Sequence, residues 1–281
     1  MIDLHMHTTA SDGRCTPAEL VARVQAAGLE TFAVTDHDTV AALPEARQLA
    51  GGHGLALVPG IEITAVCDAR DVHVLGYWCD EHDADLLAFL VEQRARRVAR
   101  VERIAHALAR AGAPIDVTPL LDDAAARPGA AVGRPGLARA LVQAGHAASV
   151  QDAFDRLLAE GRPAYVPRSG VAPEEVFAIV HRAGGVASLA HPGVTRRDDR
   201  LERWARGGAD ALEAFHSDHG ADDEARYLDA AAQLGLAVSG GSDFHGDDPA
   251  SSRSTRRALG GVTLPTAHFA RLAGARAERP A

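Results

Sequence analysis

Apolar and polar residues alternate through the first seven positions, with Ile2, Leu4 and Met6 on one side and Asp3, His5 and His7 on the other. A period of two predicts a strand with one apolar face. The period then changes. TPAELVARVQAAG (16–28) carries apolar residues at helical spacing, with Pro17 at its start and Gly28 at its end, the punctuation expected of a helix. TFAVTDHD (31–38) reads as a second strand, followed by a helix near residues 41–50. LALVPGIEITAV (55–66) and VHVLGYW (72–78) read as two strands across a short turn. In the second half PEEVFAIVHRAG leads into GVASLAHP, LERWARGGA into ALEAFHS, and DDEARYLDAAAQLG into LAVSGGSDFH. About seven strands with helices between them predict an α/β fold built on a parallel sheet or barrel.

Residues 97–172 break this rhythm. They offer helical patterns at 97–111, 135–145 and 150–160, with Pro and Gly punctuation and no core strand. The expected organisation is a barrel in two parts, 1–96 and 173–281, with a mainly helical insertion at 97–172 covering its mouth. The last residues, 266–281, read as a short amphipathic helix and a tail.

The 281 residues are 47% hydrophobic and 24% charged, an ordinary globular composition. No apolar run approaches the ~20 residues of a membrane span. The first residues already read as a strand, so no secretory leader is expected. Cys15, Cys67 and Cys79 are scattered and form no CxxC, which favours a reducing compartment and a cytoplasmic location. The net charge of -9 argues against a broad nucleic-acid surface and against duplex DNA as a partner. All 29 basic residues are arginine. A chain without lysine has no Schiff-base lysine, no Walker A lysine and no carbamylated lysine to bridge two metals.

Candidate chemistry sits where the strands end. The first delivers His5 and His7, side by side on one face because residues i and i+2 point the same way, and then Asp12. The second ends in Asp36 and His37, the third in Glu62, the fifth in His191, the sixth in Glu213 and His216, and the seventh in Asp243 and His245. Loops after the strand ends build the active sites of βα barrels. His73 is the odd one: it starts its run, so that strand is either short or antiparallel. The remaining histidines, His53, His82, His106, His146, His181, His219 and His268, lie in loop or helix patterns and are expected to be surface or structural. Mixed imidazole and carboxylate donors suit zinc, manganese or iron. With no lysine, the bridge between two ions must be a carboxylate, and Glu62 is the best placed.

The series HxHTxxSDG, TDHD, PGIE, HVLGY, AHP and SDFH, in order across residues 1–80 and 173–250, resembles the PHP family, the polymerase and histidinol phosphatase phosphoesterases. Within 97–172, GRPGLARALV (133–142) and GRPAYVP (161–167) are similar to the nucleoside-3′,5′-bisphosphate phosphatase subgroup, some of whose members act as 5′→3′ exonucleases on short RNA. The resemblance implies a distorted (β/α)7 barrel with a trinuclear site. One ion would take His5, His7, Glu62 and Asp243; a second Glu62, His73 and His191; a third Asp12, His37 and His245. Many members carry histidine where this chain has Asp12; a carboxylate is the harder donor and favours manganese or magnesium over zinc. Two or three divalent ions are therefore expected, manganese first, with zinc, iron or magnesium as alternatives.

The expected reaction is release of the 3′-phosphate of a 3′,5′-bisphosphonucleotide. A hydroxide bridging two metals would attack phosphorus, and His216 or His245 would protonate the leaving alkoxide. Arginine suits bidentate phosphate contact. Arg134, at a predicted helix start, and Arg168, near the return to the barrel, are the candidates for a second phosphate, with Ser217 adding a hydroxyl. The alternatives are a short-RNA exonuclease and a histidinol-phosphate phosphatase. The missing lysine counts against an amidohydrolase, and the full ligand set counts against a non-catalytic metal-binding module. A small nucleotide or a short RNA is the expected partner.

Overall fold

The computed structural model describes residues 1–126, 133–247 and 255–277. Seven strands lie in chain order in one sheet: β1 (Ile2–Asp3), β2 (Thr31–Val34), β3 (Ala56–Cys67), β4 (Arg70–Tyr77), β5 (Val186–Leu189), β6 (Ala211–His216) and β7 (Ala237–Gly241). β1, β2 and β3 pair in parallel, as do β5, β6 and β7, while β4 runs antiparallel to both neighbours. The reversal has a local cause. Asp68 and Ala69 form the tip between β3 and β4, with φ of 50° and 61°. So short a hairpin leaves no room for the crossover that a parallel pair needs. The start of β4 therefore lies at the same rim as the C-terminal ends of its parallel neighbours, which brings His73 to the face where the other candidates gather.

β1 is shorter than the alternation predicts because the chain beyond Asp3 pairs with the other edge of the sheet. Leu4 N–H donates to Gly240 O at 3.2 Å and His7 N–H to Phe244 O at 2.8 Å, and Met6 and Phe244 form a parallel bridge. These contacts nearly close the sheet into a distorted (β/α)7 barrel. The approach demands glycine: a Cβ on Gly241 would lie 2.3 Å from the His5 nitrogen. Glu62 is also placed differently from the expectation, standing inside β3 rather than at its end, because the strand continues into the hairpin.

Helices cover the barrel. Pro17–Ala26 starts on a reciprocal cap, with Thr16 Oγ1 accepting from Glu19 N–H at 3.2 Å and Glu19 accepting from Thr16 N–H at 2.8 Å. The barrel core gathers Ile61, Val74, Tyr77, Phe177 and Leu212, and a second cluster packs Leu20, Val24, Phe32 and Leu43 beneath the first two helices. A third cluster draws only on residues between Val101 and Val166. The helix Ala84–Arg110 runs unbroken through residue 97, with Leu86 and Leu90 in the barrel core and Val101, Ile104 and Leu108 in the third cluster. The helix expected over 150–160 is interrupted. Val150–Ala153 passes into a π-helical turn at Phe154–Leu158, which turns Leu157 and Leu158 into the third cluster.

Candidate metal centre

The nine positions anticipated as ligands converge at one rim of the barrel. Glu62, buried in β3, is the centre. Its Oε2 lies 3.3 Å from His5 Nε2, 3.2 Å from His7 Nε2 and 3.2 Å from His37 Nδ1. Its Oε1 lies 2.8 Å from His73 Nδ1 and 3.1 Å from His191 Nε2. The two oxygens thus face different sets of imidazoles. Asp243 Oδ1 completes the first set, 3.3 Å from His5 Nε2 and 3.2 Å from His7 Nε2. Asp12 sits beside His245 Nε2 at 3.3 Å and His37 Nε2 at 3.8 Å.

These groups fit divalent cations. His7 Nδ1 and Nε2, His37 Nδ1 and His73 Nδ1 are buried without an aligned hydrogen-bond partner, although carboxylate oxygens stand close by. Donor atoms that approach without pointing at one another converge on a shared point, as ligands of an ion do. The ligand atoms of His5, His7, Glu62 and Asp243, and those of His7, Asp12, His37 and His245, form two groups each within 4.8 Å. Electrostatics agrees. Burial opposes ionisation of Glu62, yet the imidazoles of His37, His73 and His5 hold its pKa well below the usual carboxylate range. Burial likewise disfavours charge on His7, but Asp243 and Glu62 push it up to about 10. His37 is pushed down to about 3, burial outweighing Glu62 and Asp12.

The motifs explain how the ligands are presented. Asp36, first acid of TDHD, accepts from Thr8 N–H and Thr8 Oγ1, both at 2.7 Å, and from Ser11 Oγ at 2.6 Å. It thereby fixes the loop that carries Asp12. Gly13 is required there, because a Cβ would lie 2.4 Å from His7 O. His191 and Asp243 adopt φ of 26° and 53°, a strained backbone of the kind that gathers at functional sites.

His216 lies on the floor of the site with Nε2 3.4 Å from Asp243 Oδ2. Its Nδ1 accepts from Asp218 N–H at 3.1 Å, so Nε2 carries the proton. Above the ligands opens a cavity of about 470 Å³ reached by Asp12, His37 and His73 and walled by Arg97, Arg139 and Arg168. Arg168 Nε pairs with Asp71 Oδ1 at 2.7 Å. Arg134 starts the helix Arg134–Gln143 with its guanidinium over the Phe154 ring, 5.9 Å from the centroid. Its neighbours Gly133, Pro135 and Gly136 line the cavity, and Arg139, one turn later, supplies the cation that reaches it. Ser217 Oγ is buried without a hydrogen-bond partner and lies off this cavity. Arg97, Arg139 and the role of Glu213 do not stand out in the sequence. For Arg139 the spacing of four residues from Pro135 was the available signal, since that offset keeps one helix face.

Fold and site together define a metal-dependent phosphoester hydrolase. The PHP domain model matches residues 3–159, more than half of the chain, and the chain belongs to that family. It is similar to the 5′-3′ exoribonuclease Rnm of Salmonella typhimurium, 39% identical over 253 residues that cover 86% of this chain and 84% of that protein. It is also similar to the 3′,5′-nucleoside bisphosphate phosphatase of Chromobacterium violaceum, 32% identical with 87% of each chain covered. A candidate metal-dependent phosphoesterase from Bifidobacterium adolescentis superposes with a TM-score of 0.82 at 33% identity, covering 98% of this chain and 96% of that one. No helix among the described residues is long and apolar enough to cross a membrane.

Proposed function

We propose that this protein hydrolyses the P–O3′ bond of nucleotides that carry a 5′-phosphate, with a 3′,5′-bisphosphonucleotide such as pAp as the small substrate and 5′-AMP and phosphate as products. The observation that carries the reading is the pairing of a buried imidazole–carboxylate cluster with guanidinium groups across one cavity. Divalent ions, manganese first, held by His5, His7, Glu62 and Asp243, by Glu62, His73 and His191, and by Asp12, His37 and His245 would activate water and neutralise phosphoryl charge. Arg168 and Arg97 receive the remote 5′-phosphate, and the nearby charge of Arg134 reinforces Arg168. Burial first, and then repulsion from Arg97 and Arg134, lowers the pKa of Arg168 against the opposing charge of Asp71. His216 supplies the proton from Nε2 that the leaving 3′-oxygen takes up, with His245 as the alternative donor. Water adds to phosphorus, the P–O3′ bond breaks, and the nucleoside 3′-hydroxyl leaves.

The same bond cleavage performed on a chain removes a 5′-mononucleotide from short RNA. One observation favours this second substrate. A second open chamber of about 390 Å³ shares Leu120, Gly136 and Arg139 with the cavity, and we assign it the nucleoside on the far side of the attacked phosphorus. We propose residues 97–172 as the cap that provides it. All three cysteines are unpaired, which supports a cytoplasmic setting.

The test is product analysis with manganese-loaded protein on pAp, histidinol phosphate and a short 5′-phosphorylated RNA. Conversion of pAp to 5′-AMP with little turnover of histidinol phosphate is expected. Release of 5′-mononucleotides from RNA alone would move the substrate to oligonucleotides. No product from any of the three, in protein shown to hold metal, would overturn the reading.

A further inference from the structure

Glu213 and His216 stand three residues apart on β6, an offset that puts side chains on opposite faces of a regular strand. Here both are buried inside the barrel. The cause is a register shift in the β6–β7 pairing between Glu213 and Phe215, a bulge that re-aims the side chain before it. The bulge directs Glu213 beneath the ligand cluster. Its Oε1 accepts from His5 Nδ1 at 2.9 Å, and its Oε2 accepts the backbone N–H of His191 at 2.6 Å. We infer that Glu213 is the positioning residue of the metal centre, setting a ligand from each half of the chain through one carboxylate.

The two contacts do different things. With Nδ1 of His5 held by Glu213, Nε2 is the nitrogen that would serve as ligand, the atom 3.3 Å from both Glu62 and Asp243. A carboxylate behind an imidazole fixes its tautomer, fixes its ring orientation and raises its basicity as a ligand. At His191 the contact is to the backbone. The residue has φ of 26° and ψ of 62°, a conformation that persists only when its surroundings hold it. A short hydrogen bond to a buried carboxylate is such a hold. The same strand supplies the next anchor: Gly193 N–H donates to His219 Nε2 at 3.1 Å, while His219 Nδ1 donates to Ala214 O at 2.8 Å. β6 therefore carries the His191 loop at two points. Glu213 itself serves as a support and not a ligand, since each oxygen faces a protein donor and Asp243 is the acid beside His5 Nε2.

The inference rests on the ligand cluster binding divalent ions as proposed above. The experiment is manganese titration of metal-stripped wild type, Glu213→Gln and Glu213→Ala, by competition with a chromophoric chelator. Thermal melting of each metal-free protein is recorded alongside. Glutamine is isosteric but offers one acceptor oxygen for two donors, and alanine offers none. Binding of the ions that share His5 and His191 is expected to weaken by about 10–100-fold in Glu213→Ala, with Glu213→Gln between. The ion at Asp12, His37 and His245 keeps its affinity, so the titration splits into retained and weakened steps. A purely structural role would lower the melting temperature without splitting the titration. Wild-type affinities at every step in the variants would overturn the inference and leave the metal reading standing. Failure of the wild type to bind manganese would overturn both. Should Glu213→Ala not fold, Glu213→Gln decides.

Discussion

Arg97, on the helix Ala84–Arg110, forms an ion pair with Asp38, the residue after His37, and the same nitrogen donates to Thr64 Oγ1 at 2.6 Å. Asp38 is buried, with φ of 50°; its Oδ1 accepts from Thr64 N–H at 2.9 Å and its own N–H donates to Glu62 O at 2.8 Å. One guanidinium thus joins the helical segment to the loop that presents His37 and to the strand that presents Glu62.

Removing that guanidinium leaves the Asp38 carboxylate buried and unpaired. Arg97→Ala is expected to lower stability by about 3 kcal/mol in urea unfolding. Activity should fall further than the unfolded fraction explains, because the His37 loop loses its tether and the cavity loses one of its two proposed phosphate-binding guanidiniums. Arg97→Lys keeps the charge but not the two-point contact and should fall between. An unchanged urea midpoint in Arg97→Ala would remove the coupling.

Arg168 separates the two phosphates of the proposed substrate. Arg168→Ala is expected to lower kcat/KM for pAp by about 10²-fold, the loss of one charge-assisted phosphate contact worth roughly 3 kcal/mol. Hydrolysis of p-nitrophenyl phosphate, which has no second phosphate, should change little. Equal losses on both substrates would show that Arg168 acts on the ligand cluster instead, through Asp71.

The cluster makes the metal-free protein sensitive to pH in both directions. His7, raised from 6.5 to about 10, binds a proton more tightly folded than unfolded. Its contribution is fully present below pH 6.5 and is lost as pH rises towards 10. His37, lowered from 6.5 to about 3, costs stability as pH falls below 6.5, where the unfolded chain takes up the proton first. The urea midpoint of metal-stripped protein should therefore peak near pH 6.5. Metal must displace the proton on His7, so manganese affinity should rise with pH over the same alkaline range, with proton release measurable by calorimetry in buffers of different ionisation enthalpy. A midpoint that climbs from pH 7 to 9 without metal would contradict the charge state assigned to His7.

The parts of this site that sequence carries are those with a local signal. His5 and His7 share a face because a strand has period two, and His73 joins them because a hairpin too short for a crossover reverses β4. Glu213 and His216 lack such a signal: their spacing reads as opposite faces, and the bulge that unites them arises from pairing with β7. The Arg97–Asp38 pair spans 59 residues, and no period links its members. Arg134 and Arg139 show the limit of composition. Both are arginines on one short helix, yet Arg134 packs over Phe154 while Arg139 lines the cavity.

Gly13 tests whether the opening SDG motif serves placement of Asp12. The loop folds back so closely that a Cβ at Gly13 would stand 2.4 Å from His7 O and 2.8 Å from Thr8 N. Neither atom can retreat: His7 N–H is bonded to Phe244 O at 2.8 Å, and Thr8 N–H to Asp36 Oδ1 at 2.7 Å. The strain must move the loop, and Asp12 is its adjacent residue. Gly13→Ala is expected to cost about 1–3 kcal/mol of stability, as overpacking does, and to weaken the ion shared by Asp12, His37 and His245. Asp12→Asn removes the charge but leaves the loop intact, so it should weaken the same ion at nearly wild-type stability. Metal titration and urea unfolding of the two variants separate placement from ligation. If Gly13→Ala loses stability yet binds every ion as the wild type does, the glycine serves the fold alone and Asp12 does not depend on it.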